Sequence, residues 1–279
     1  MNRRTFVQTG AAAAAGAALL PSMAWGTGRK IGIQLYTLRD SITKDPHGVL
    51  KSVADIGFTD LETFGYREGK IFGMEFPEYG KYVGDLGMRT VSGHYGIGQV
   101  RAGWERALSD AREIGQEYVV VPSLPSDERT EDGYKKACAD LNKGAELCKQ
   151  YGLRMGYHNH DFEFKEVSGE PAFDLMLREL SPDVSIELDL FWIIYAGKRP
   201  EDYFAKYPGR FEQWHVKDMD KLDSKRNTPV GKGAIDYKAL FAQAKLSGMR
   251  YFYLEHDNHS GVPLEGVKEG YAFLASFVK

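Results

Sequence analysis

From Lys30 onward, short apolar runs alternate with longer stretches of helical spacing. The runs at 31–38, 59–64, 89–95, 118–124, 154–160, 184–190, 212–218 and 250–257 have the length and β-branched or aromatic content of strands. Helical patterns follow them at 46–56, 77–86, 104–115, 132–150, 171–179, 200–207, 236–247 and 262–278. Gly57, Gly87, Gly115, Gly152 and Gly248 each come after a last apolar turn, where a left-handed residue closes a helix. Pro46, Pro77, Pro171 and Pro200 stand where helices begin and a missing N–H is tolerated. Strands alternating with helices predict parallel βαβ units. Eight such units in about 250 residues predict a single (β/α)8 TIM barrel of the α/β class. A doubly wound sheet would announce a Gly-rich turn after its first strand. Here that strand runs into Tyr36-Thr37-Leu38-Arg39-Asp40.

Residues 1–26 do not fit this pattern. Arg3 and Arg4 precede Phe6 and Val7, an Ala-rich run extends to Leu20, and Ser22-Met23-Ala24 forms a small-x-small cleavage site. The run is short for a membrane span, and the paired arginines resemble a twin-arginine export signal. The expected division is a signal peptide at 1–24 and a barrel domain at 25–279, with a periplasmic product and no stable membrane anchor. Of 279 residues 43% are hydrophobic and 27% charged, which excludes a disordered or coiled-coil chain. The net charge of −3 argues against a nucleic-acid partner. The two cysteines, Cys138 and Cys148, lie ten apart in one helical pattern and read as structural rather than as a disulfide or metal pair.

Barrel chemistry belongs at the C-terminal ends of the strands, and polar residues gather there. They include Glu62, His94, His158, His160, Glu187, Asp189, His215, Lys217, Glu255, His256 and Asp257, with His259 just beyond. Burying such groups unpaired is costly, so a cation or a substrate is expected among them. Alternation along a strand puts His158 with His160, Glu187 with Asp189, His215 with Lys217 and Glu255 with Asp257, while Leu188, Val216 and Leu254 face the helices. Imidazoles and carboxylates converging on the barrel axis make an N/O site for one divalent ion such as Zn, Mn, Co or Fe. The most economical ligand set is His158, Asp189, His215 and Glu255. Glu187 lies one layer deeper and reads as a buried acid paired with a basic neighbour. His256 and Asp257 also admit the reading of a solvated turn.

The motifs Gly-Tyr-His-Asn-His-Asp-Phe-Glu-Phe (156–164), Glu-Leu-Asp-Leu-Phe-Trp (187–192), His-Val-Lys-Asp (215–218), Val-Gly-Lys-Gly-Ala-Ile-Asp (230–236) and Tyr-Leu-Glu-His-Asp (253–257) occur in this order. Together they resemble the xylose-isomerase-like barrels known as sugar phosphate isomerases/epimerases. The resemblance implies a metal held by Glu, Asp, His and Glu; Asp189, His215 and Glu255 match three of these positions. The fourth departs, leaving His158, His160 and Glu163 as alternatives. It also implies abstraction of a proton beside a metal-polarised carbonyl, with Glu255, His158 and His160 as candidate bases and Lys217 as oxyanion partner. Tyr36, Glu62, His94 and Trp192 are the candidate substrate contacts, Glu62 and His94 on the opposite wall and Trp192 as an aromatic platform. Export and the lack of a phosphate cradle point to a non-phosphorylated sugar or keto-sugar, isomerised or epimerised. A 3-keto-glycoside lyase or hydrolase, or a sugar-binding module without turnover, are the alternatives. The related endonuclease barrels need more metal ligands and a basic groove.

Overall fold

The computed structural model describes residues 30–102, 104–257 and 264–278. The proposed signal segment and His259 lie outside the described residues. Eight parallel strands form a closed barrel in which each pairs with its neighbours in sequence: β1 Gly32–Gln34, β2 Asp60–Thr63, β3 Arg89–His94, β4 Tyr118–Val121, β5 Arg154–His158, β6 Val184–Asp189, β7 Gln213–Val216 and β8 Tyr251–Leu254, which returns to β1. The helices α1 Pro46–Ile56, α2 Phe76–Asp85, α3 Trp104–Glu113, α4 Glu131–Gln150, α5 Ala172–Glu179, α6 Pro200–Lys206, α7 Tyr237–Ala242 and α8 Leu264–Ala275 follow the strands in turn. The expected (β/α)8 barrel is the observed architecture. Gly57, Gly87, Gly115, Gly152 and Gly248 all have positive φ at the predicted helix ends.

Outward-facing strand residues pack on the helices; the ring of Trp214 on β7, for example, stacks on Phe204 of α6 at 5.2 Å. Inside the barrel, Tyr253 fills the space left by Gly32, where a Cβ would sit 2.5 Å from its ring. Its hydroxyl accepts from Gln213 Nε2 at 3.2 Å. The bottom of the barrel is closed by charges: Arg89 bonds Asp60 and Glu117, and Arg154 pairs with Glu212. Tyr118 and Tyr251 donate to Glu212 and Glu117. Both cysteines are buried and free on α4.

Several strands stop short of their apolar runs. The Gln34 side chain accepts the Tyr36 N–H at 3.0 Å and turns the chain into a 3-10 helix over Leu35–Leu38, so Tyr36 is not on a strand. β5 ends at His158 because the Glu163 carboxylate takes the N–H of His160 at 2.8 Å. Strand alternation therefore does not place His160. After β7, Asp218–Met219 pairs antiparallel with Asn227–Thr228 rather than extending the barrel strand. The helix expected over 236–247 is interrupted after Ala242, and Ala244–Ser247 forms a separate turn.

Candidate metal centre

The strand register sets the layers of the site. Asp189 of β6 lies opposite His215 of β7, Glu187 opposite His158, and Gln34 opposite Glu62. His158, Asp189, His215 and Glu255 bring four donor atoms within 4.8 Å of one another, and all four side chains are buried. Local bonds orient each donor. Asp189 caps the short helix Leu190–Tyr195 with Oδ1, accepting from the N–H groups of Phe191 and Trp192, which leaves Oδ2 for the cluster. Asn159 Oδ1 accepts the Asp189 N–H at 3.0 Å.

His158 Nδ1 lies 3.1 Å from the Pro122 carbonyl, which can only accept, so this nitrogen carries the proton. Burial, and then the neighbouring His215, push the His158 pKa down and keep the ring neutral. Its bare Nε2 then faces Asp189 Oδ2 at 3.2 Å, one acceptor against another. His215 is set differently: against burial, Glu187, Glu255 and Glu62 raise its pKa well above the ordinary value. Its Nε2 lies 2.6 Å from Glu62 Oε2, while Nδ1 stands 2.5 Å from Glu255 Oε2 without the geometry of a hydrogen bond. Two imidazoles and two carboxylates converging in this way fit a divalent cation, which would displace the extra proton of His215. His160 and Glu163 are not in this cluster. Glu163 is buried, accepts from the Tyr157 hydroxyl at 2.6 Å, and is pushed up to about 7 by burial.

Charge is concentrated here. Burial works against the Lys217 ammonium, but Asp189 at 2.8 Å, Asp257 at 2.6 Å and Glu255 at 2.9 Å outweigh it and hold its pKa well above the ordinary value. Burial likewise opposes ionisation of Asp189 and Glu255. Lys217 first, then the histidines, overcome it, bringing Asp189 to about 2 and Glu255 well below its usual range. Asp257 is an ion-pair partner rather than part of a solvated turn, and His256 is buried. Burial brings the Asp257 pKa to about 6 against the pull of Lys217.

A second cluster lies deeper, formed by Glu62, His94, Glu187 and His215. Glu187 Oε2 meets His94 Nε2 at 2.8 Å and His215 Nε2 at 3.3 Å, the buried acid–base pairing expected of it. Glu62 is not on an open wall. It is fully buried and accepts from Gln34 Nε2 at 2.8 Å and Ser92 Oγ at 2.6 Å besides facing His215. Gln34, Ser92 and Asn159 are supporting residues that the sequence reading missed. The one signal for Gln34 was a lone amide inside an otherwise apolar first strand.

Above the cluster opens a cavity of about 380 Å³ lined by His94, His158, His160, Lys217, Glu255 and Asp257 on one side and by Tyr36, Phe64, Tyr66 and Gln99 on the other. Tyr36 and Phe64 meet edge to face at 5.1 Å. The His160 ring stacks on Phe162, and its Nδ1 is buried without a hydrogen-bond partner among the described residues. Burial, with His158 and Lys217 nearby, lowers its pKa to about 2, so it is a neutral imidazole. Trp192 is not part of this lining; it stands behind it, with the Lys217 ammonium 5.7 Å from its ring and the His160 ring also 5.7 Å away.

A parallel eight-stranded barrel with carboxylates and imidazoles gathered at its C-terminal mouth defines a class of enzyme-like scaffold. Residues 51–277 match the family model described as xylose isomerase-like TIM barrel, and the chain belongs to that family. It is 30% identical to a sugar phosphate isomerase/epimerase from Parabacteroides distasonis, covering 92% of this chain and 97% of that one with a TM-score of 0.80. An inosose dehydratase from Geobacillus kaustophilus is 24% identical over 77% of this chain and 79% of its own length. The IolI protein with a bound zinc atom shares the fold at 14% identity, with 90% and 98% of the chains covered and a TM-score of 0.70.

Proposed function

We propose that the protein is a divalent-metal-dependent isomerase or epimerase that removes a proton beside the carbonyl of a non-phosphorylated sugar or keto-sugar. The observation that carries this reading is the convergence of donor atoms from His158, Asp189, His215 and Glu255 within 4.8 Å of one another, with the bare Nε2 of His158 facing Asp189, beneath a polar cavity. The zinc atom bound by the IolI protein, which shares this fold, supports a metal in this reading. A divalent cation held there supplies Lewis acidity to a carbonyl and its neighbouring hydroxyl. The remaining work falls to the protein. Glu255 stays ionised and reaches the cavity, so it is placed to take the proton. Lys217 keeps its positive charge and offers it to the developing oxyanion. His160, neutral and without a partner at Nδ1, binds a hydroxyl or relays its proton.

A second outcome of the same proton abstraction is loss of a β-leaving group, which the match to inosose dehydratase favours. Turnover of a keto-sugar panel in deuterated water separates the two. Deuterium at a stereocentre with the skeleton intact marks epimerisation or isomerisation; release of water or an aglycone marks elimination. His215→Ala and Glu255→Ala are expected to lose bound metal and at least about 100-fold in activity. Full activity in both would overturn the metal reading. The N-terminal sequence supports export as a twin-arginine substrate and a periplasmic location; a mature N-terminus after Ala24 in the periplasmic fraction tests this.

A further inference from the structure

Next to the reaction cavity lies another of about 400 Å³, lined by Tyr66, Arg67, Glu68, Gln99, Ala102, Arg106 and Ala107. The two share Tyr66 and Gln99 as a common wall. We propose that this second cavity is a subsite for a second, hydroxyl-bearing ring, so that the preferred substrate is a glycoside rather than a free monosaccharide. The inference rests on the reading of the first cavity as the reaction site. Each cavity is near the small end of the range for ligand pockets, about 300–1,000 Å³, and together they suit a two-ring ligand that passes along Tyr66 and Gln99, the residues lining both.

The wall between β2 and α2 is built to hold a fixed shape. Lys70–Ile71 pairs with Met74–Glu75, and the Phe76 N–H reaches the Gly69 carbonyl at 2.8 Å. Glu68 and Gly69 have φ of 51° and 86°, and Phe72 and Gly73 have 50° and 81°, so one tight left-handed turn precedes the hairpin and another forms its tip. A bulky residue such as Phe72 in that region is strained by about 1–3 kcal/mol and persists only where its surroundings fix it. Its ring meets those of Phe64 and Tyr79. The Tyr66 hydroxyl donates to Asp110, and its ring lies against those of Phe76 and Tyr95.

What this wall presents is mixed in sign. Arg67 is exposed and has no ion pair among the described residues, while Arg106 is tied by Nη2 to the Glu68 carbonyl. Glu68 is a residue of the same lining and brings a carboxylate to it. Neighbouring hydroxyls on a sugar ring satisfy a guanidinium donor and a carboxylate acceptor together. Asp110, 3.8 Å from Arg106, offsets the charge of that arginine, so Arg67 and Glu68 present one charge of each sign. An anionic ring gains no net attraction there, while an apolar one would strip water from both charges without replacing it.

The test uses the full metal-loaded chain and calorimetric binding of 3-ketoglucose against 3-ketomaltose, 3-ketocellobiose and 3-ketosucrose. At least one two-ring ligand should bind about tenfold more tightly than 3-ketoglucose. That ratio should fall toward one in both Arg67→Ala and Glu68→Gln. Equal affinity for one ring and two, or a preference that survives both substitutions, overturns the subsite. If 3-ketoglucose binds only with metal present but no two-ring preference appears, the subsite fails while the reaction-site reading stands. If no keto-sugar binds, both fail.

Discussion

Glu62 reaches His215 Nε2 at 2.6 Å from the far side of the barrel and is itself held by Gln34 and Ser92. A carboxylate in this place fixes the tautomer of an imidazole whose other nitrogen faces a metal. Glu62→Gln is expected to weaken metal binding by about 10- to 100-fold while leaving the far-ultraviolet spectrum unchanged, as metal titration would show. The four candidate ligands were legible in the sequence because each is a polar residue at the end of an apolar run. The role of Glu62 was not. It depends on a contact between residues 153 positions apart, fixed only when the barrel closes. His160 does line the cavity, but strand alternation is not what puts it there: one side-chain bond from Glu163 ends the strand first.

That same bond governs an element. Glu163 anchors the turn after β5, and its pKa near 7 lies above the roughly 4.3 of an unfolded chain. Between those values the folded protein keeps a proton that the unfolded chain has released, so this group lowers stability as pH rises from about 4.3 to 7, by at most about 1.4 kcal/mol per unit. Denaturant melts of Glu163→Gln should show a shallower decline than the parent over that window. The loop after β7 depends on another carboxylate. Asp218 accepts the N–H groups of Gly231 and Gly233 with Oδ2 and those of Met219 and Ile235 with Oδ1. A Cβ at Gly233 would fall 2.1 Å from Asp218 Oδ1, so Gly233→Ala should break this cradle at a cost of about 2–3 kcal/mol, measured by chemical denaturation. Both motif glycines were visible in the sequence as a loop signal. The carboxylate that requires Gly233 was not, because Asp218 reads locally as one more strand-end acid.

Across the whole molecule the two ends of the barrel divide the work. The bottom ring of Arg89, Arg154, Glu117 and Glu212 pairs opposite charges and closes the base. The top gathers several carboxylates around one ammonium and three imidazoles, an arrangement that a cation should favour. A divalent ion present at 100 times its dissociation constant should stabilise the fold by about 2.7 kcal/mol, read as a rise in melting temperature that a chelator reverses. No such rise with His215→Ala would tie the effect to this site. The alternation of strand and helix made the barrel readable from the sequence, since it needs only local periodicity. The second cavity was hidden in how the loops fold over the mouth.

Lys217 has a consequence for how the protein comes of age. Its ammonium already sits against Asp189, Asp257 and Glu255, so part of their charge is offset by the chain's own while the barrel assembles. A metal bound at this cluster would then enter a finished cage rather than gather the chain around itself. On the proposed reading, a newly made molecule would reach its final shape in metal-poor surroundings and take up an ion afterwards.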